Sequence, residues 1–173
     1  MRYEIIDNII KDAKEKYKSF ESPNYSFVSP LILDHLSLYK ELIENYSINE
    51  DTDFNSEVCT HYYIEKDGHS WEVCASLVGR YAMISRRIGN QSWVVVCDDL
   101  QIDTLDKKIL QIVKRHHFFP LSESVLKTII PGFRIYTYDT EDEKMRNWAY
   151  VYHVLFFFEN YNLLCDYDPE DIS

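Results

Sequence analysis

"HYYIEKDGHSWEVCASLVGRYAMISRRIGNQSWVVVCDD", residues 61–99, decides the fold of this chain. Asp67-Gly68, Gly79-Arg80 and Gly89-Asn90 are turn signals, and they cut the stretch into strand-like runs of alternating character. Together with the residues just before it, it predicts four consecutive antiparallel strands over about 57–98. With two-residue turns the register is fixed: Ile64 faces Trp71, which faces Ile88, and Thr60 faces Ala75, then Ile84, then Val95. One face then gathers Val58, Tyr62, Ile64, Trp71, Val73, Ala75, Leu77, Ala82, Ile84, Ile88, Trp93 and Val95. A one-residue slip would scatter that set across both faces, so its continuity supports the pairing.

The other face is chemically richer. His61 falls opposite Cys74, Cys74 opposite Ser85, Glu72 opposite Arg87, and Cys59 lies two residues from His61. A thiol beside an imidazole can be a nucleophilic pair, and Cys59, His61 and Cys74 could in principle ligate zinc. Catalysis would also need an orienting carboxylate and an oxyanion site, and Glu72 is expected to pair with Arg87 instead. The reading is therefore the polar side of a sheet, with no catalytic residue, metal or cofactor. Tyr63, Val78, Tyr81, Met83, Val94 and Val96 share this face, so it needs a cover, most simply from the chain itself.

Around the meander, apolar spacing predicts helices over 3–18 and about 30–46, the latter opened by Ser29-Pro30. "SINEDTDFNS" reads as a polar loop. A helix capped by Asp103 or Thr104 buries Leu105, Ile109, Ile112 and Val113, and a short helix spans about 121–130. "FRIYTYD" alternates as a strand, whereas Trp148–Phe158 fits strand and helix spacing alike. The expectation is a single α+β domain, 1–173, with helices on one face of a mainly antiparallel sheet.

Length and composition agree with one ordinary globular domain: 173 residues, 46% hydrophobic, with only 4 Gly and 5 Pro. The start carries acids among its apolar residues, unlike a signal peptide, and the four cysteines form no CxxC pair. Those features lead to an expectation of a cytoplasmic protein with reduced thiols. No phosphate loop, HExxH or GxSxG motif occurs.

The formal charge of −11 disfavours nucleic acid and anionic membranes and suits a basic protein partner. Three acidic clusters have aromatic neighbours: Glu50-Asp51-Asp53, Asp139-Glu141-Asp142-Glu143, and Asp166-Asp168-Glu170-Asp171. Tyrosine anchors and carboxylate pairs suit recognition of Lys and Arg. The expected partner-binding residues are Tyr136, Tyr138, Asp139, Glu141, Asp142 and Glu143, with Glu50, Asp51 and Asp53.

A small, strongly acidic, tyrosine-rich α+β chain without catalytic motifs resembles the immunity proteins of bacterial toxin–immunity systems. The resemblance lies in size, charge and composition and carries no residue over. It implies a non-catalytic inhibitor that covers the cationic cleft of a cognate toxin, such as a nuclease. A regulatory or adaptor protein that homodimerises or binds another protein is the alternative, and a small enzyme using a Cys/His site is the third.

Overall fold

The computed structural model describes residues 2–28, 35–53, 57–88, 92–97, 103–139 and 142–156. It is an α+β fold built on an antiparallel meander. Strands β1 (Ser47–Glu50), β2 (Cys59–Lys66), β3 (His69–Ser76), β4 (Tyr81–Ile88) and β5 (Ser92–Val95) lie side by side in chain order. The two-residue β6 (Phe119–Pro120) adds to β4 in parallel. A separate hairpin pairs β7 (Ile129–Asp139) with β8 (Asp142–Tyr150).

The β2–β3 turn is as expected. Asp67 and Gly68 both take positive φ, 50° and 77°, which a two-residue hairpin loop requires and Asp-Gly tolerates. Ile64 faces Trp71 and His61 faces Cys74. The next two registers differ from the sequence expectation. Trp71 pairs with Arg86 and Ala75 with Ala82, so a four-residue connection replaces the Gly79-Arg80 turn. The displacement is even, so every β4 side chain keeps its face. Ile88 pairs with Ser92, and Ser85 rather than Ile84 opposes Val95. That shift is odd, so it turns Val95 away from the Trp71 face and brings Val96 onto it. The expected Gly89-Asn90 turn lies outside the described residues.

Helices α2 (Leu36–Asn45) and α3 (Thr104–Arg115) cover the Trp71 face. Leu38, Leu42, Ile109, Ile112 and Val113 pack there on Tyr62, Ile64, Trp71, Val73 and Ile84. Asp103 caps α3 with a full capping box shared with Asp106. Asp106, only 1% exposed, also accepts from the Trp71 indole at 2.8 Å and pairs with Arg86 at 2.8 Å. Those bonds lock the start of α3 to the middle of the sheet.

The opposite face is covered by the chain too, as its apolar residues required. α1 (Arg2–Tyr17), α4 (Glu123–Leu126), the β7–β8 hairpin and α5 (Val151–Leu155) close over Cys59, Cys74, Met83 and Val95. Tyr17, fully buried, donates to the Val154 carbonyl at 2.6 Å and meets Tyr25, Phe27 and Phe133 edge-on. The Val58 N–H donates to the Phe156 carbonyl and the Ser76 hydroxyl to the Leu155 carbonyl, and these bonds fasten α5 to the sheet.

Three local expectations change. Residues 47–50 form β1 instead of a loop; this is an edge strand with only Ile48 half-buried, so it needs no apolar alternation. The short helix stops at Leu126, and Ile129 already opens β7. The ambiguous run from Trp148 is both elements in turn, strand to Tyr150 and helix over Val151–Leu155.

Candidate functional site

The residues singled out in the opening stretch converge beneath one of the acidic loops. His61 sits in the middle of β2 with 1% of its surface exposed. Its Nδ1 lies 3.1 Å from Glu57 Oε1, and its Nε2 lies 4.0 Å from Glu72 Oε1. Glu57 and Glu72 are themselves buried, at 5% and 2% exposure. Burial opposes charge on the imidazole, but the adjoining Cys74 and the Glu57 carboxylate 3.1 Å away outweigh it and raise the His61 pKa. His61 is therefore a buried imidazolium between two carboxyl groups.

Glu72 behaves differently from the expectation. Its cross-strand neighbour is Ser85, whose hydroxyl donates to Oε2 at 3.1 Å, so Arg87 does not take it out of the site. Burial raises the Glu72 pKa, while His61, Tyr63 and Ser85 act against that rise. The two thiols sit beside this group and touch each other. Burial pushes both Cys59 and Cys74 upward, Cys74 strongly, so both are neutral thiols at neutral pH. Among the described residues no group of three or more His, Cys, Asp or Glu side chains is arranged to hold a metal ion.

What His61 holds is the loop above it. The Asp51 N–H donates to the His61 carbonyl at 3.0 Å, and the His61 N–H donates to Thr52 Oγ1 at 3.0 Å. Glu57 completes the tie: its Oε2 accepts from the Asp53 N–H at 3.1 Å, and its own N–H donates to the Asp53 carbonyl at 2.8 Å. Glu50, Asp51 and Asp53 are exposed on this anchored segment. Three of the expected partner-binding residues thus project from the end of β1 and the segment after it, whose backbone is held by the His61 backbone and the Glu57 side chain.

The other expected cluster occupies a different place. Tyr136, Tyr138 and Asp139 lie along β7, and Asp142 and Glu143 begin β8, with Tyr138 opposite Glu143 and Asp139 opposite Asp142. They mark the end of the hairpin. Glu141 lies outside the described residues, as does the third acidic cluster, residues 166–171.

Sequence reading missed Glu57 and Thr52. Glu57 stands four residues before His61, a spacing that brings side chains together on a helix but not along a strand. The Glu57 N–H bonds the Asp53 carbonyl just before β2, and no turn motif announces that approach.

Three other histidines have partners within the fold. His35 Nδ1 is 2.9 Å from Thr60 Oγ1, and His153 Nδ1 accepts from the Tyr150 N–H at 3.1 Å. His116 lies 2.7 Å from Glu41, which also pairs with Arg115, across an open groove of about 660 Å³ between α2 and α3. No described helix is long and apolar enough to cross a membrane. No family model, curated protein or solved structure matches this chain.

Proposed function

We propose that this chain is a non-catalytic binding protein that recognises a basic protein surface, in the manner of a bacterial immunity protein neutralising a cognate toxin. The observation that carries this reading is the anchoring of the Glu50–Asp53 segment by His61 and Glu57. Exposed carboxylates on a backbone already fixed lose little freedom on binding, so more of their electrostatic attraction becomes affinity. The formal charge of −11 adds long-range steering toward a cationic partner. The chain acts in the cytoplasm and needs no cofactor. Buried neutral thiols and an internally paired imidazolium disfavour the reading as a Cys/His enzyme.

The test is co-expression with the product of the reading frame next to its own gene. Rescue of growth from a toxic product is expected. It should weaken when Glu50, Asp51 and Asp53 become Gln and Asn, and association should then lose its steep salt dependence. Rescue and salt dependence untouched by these substitutions, and by the same change at Asp139, Asp142 and Glu143, would remove the acidic surface from the mechanism. A tight homodimer without such activity would favour the adaptor reading instead.

A further inference from the structure

β1 is an outer strand of the meander, with β2 on one side and no described strand on the other. In an antiparallel ladder alternate residues bond to the neighbouring strand, and the residues between them turn their backbone groups away. The Asp51 N–H on the His61 carbonyl sets the phase, because Asp51 follows β1 directly and continues its register. Ser47 and Asn49 therefore bond to β2, and the N–H and carbonyl groups of Ile48 and Glu50 point away from the sheet. Among the described residues nothing donates to these groups or accepts from them.

We propose that this edge takes up an extended, basic segment of the protein partner as a further strand of the sheet. The proposal rests on the reading of this chain as a binder of basic protein surfaces, and it adds how the partner docks. Main-chain bonds to Ile48 and Glu50 supply the attachment, as in other cases of strand addition. Lys or Arg side chains on the incoming segment then meet Glu50, Asp51 and Asp53, which are exposed at the C-terminal end of the edge.

Two observations select this occupant. The first is what β1 lacks: proteins guard their edges with proline, lysine or a bulge, and β1 has no proline or lysine and pairs with β2 without a bulge. The second is the sign of the charge beside it. Three carboxylates repel an acidic strand, and a formal charge of −11 on each copy opposes the pairing of two β1 strands. A basic strand meets neither obstacle. Glu57 and the Thr52 hydroxyl tie the acidic segment to the sheet, so edge and charges hold one arrangement before any partner arrives. The opposite edge strand, β5, carries no charged residue and makes no such selection.

The experiment titrates the full chain with a blocked peptide about eight residues long in which arginine and valine alternate. Two controls share its length. One has glutamate in place of arginine; the other is N-methylated at every backbone nitrogen, which keeps the charges and removes the donors. Saturable binding of the basic peptide is expected, with slowed hydrogen exchange at the Ile48 and Glu50 amides and both controls roughly tenfold weaker or more. Glu50→Pro should weaken binding roughly fivefold beyond Glu50→Gln, because proline removes the outward N–H at a place where an edge strand tolerates it. No saturation, equal binding of the N-methylated peptide, unchanged exchange at Ile48 and Glu50, or Glu50→Pro no weaker than Glu50→Gln would each overturn the proposal. So would protection of those amides in the free chain by a second copy, which light scattering detects. Equal binding of the N-methylated peptide leaves the acidic-surface reading standing, through charge alone. Strand addition without rescue in co-expression removes the toxin partner and keeps the edge as a docking site.

Discussion

His61 and Glu57, four residues apart, meet through Nδ1 and Oε1 at 3.1 Å in the interior, and the acidic loop hangs from that contact. The Glu57 carboxylate has two jobs, one oxygen on the imidazolium and the other on the Asp53 N–H. Loss of either partner leaves a buried charge without its counter-ion.

His61→Ala should therefore cost about 3–5 kcal/mol in urea unfolding, the range for a broken buried pair. Hydrogen exchange at Asp51 and Asp53 should quicken even where the fold survives. The pH dependence has a defined sign. The folded pKa lies above the ordinary value of 6.5, so the stabilisation is complete below about 6.5 and is lost as pH rises through the raised folded value. Stability should fall from pH 7 to pH 10, and His61→Gln should flatten that slope. A flat alkaline profile in the native protein would contradict a charged His61.

Cys59 and Cys74 should resist thiol reagents in the folded protein at neutral pH. Both are fully buried, and burial raises both pKa values, so neither access nor thiolate is available. Mass spectrometry after brief alkylation should find them unmodified, with labelling only at the rate of unfolding. Rapid labelling of Cys74 would reopen the reading of a nucleophilic Cys–His pair.

Asp106 should prove the most sensitive position on the other face. Asp106→Ala removes the acceptor for Trp71, a partner of Arg86 and half of the α3 capping box, for about 3 kcal/mol. Asp106→Asn keeps one acceptor oxygen and should cost less than half as much. Trp71 emission reports the change directly, since its indole loses its buried partner in the first variant.

Most of the meander was legible because its period-two pattern places Tyr62, Ile64, Trp71, Val73, Ala75, Ala82 and Ile84 on one side, and all seven are buried there. Face assignment depends only on whether a register shift is odd or even, so the misjudged β3–β4 connection was harmless and the β4–β5 one was not. The second core was illegible for another reason. Its roof comes from α1, β7, β8 and α5, thirty or more residues away in the chain on either side, and nothing local tells a sheet what will cover it. The same limit hid the site. The sequence places His61 beside Cys74, but Glu57 arrives through its backbone bond to Asp53, and a β4 register displaced by two residues gives Glu72 to Ser85 rather than Arg87.

That displaced connection now carries the contact between α1 and the sheet. Tyr81 donates its hydroxyl to Asp12 Oδ2 at 2.6 Å, and Gly79 passes beneath both side chains. A Cβ at Gly79 would lie 2.5 Å from Tyr81 Cε2 and 2.9 Å from Asp12 Oδ2, so any side chain must push that pair apart. Gly79→Ala should cost about 1–3 kcal/mol, the usual range for overpacking. Tyr81→Phe should cost only about 1 kcal/mol, because it removes the hydrogen bond and leaves the ring. Tyr81→Ala is costly alone, yet it empties the space that Gly79→Ala invades. In that background the glycine substitution should become nearly neutral, so the double variant is more stable than the sum of the single effects allows. Strict additivity would mean that the close approach of Gly79 to Tyr81 does not set the cost, and that α1 is held by its buried residues Ile9, Ala13 and Tyr17 alone.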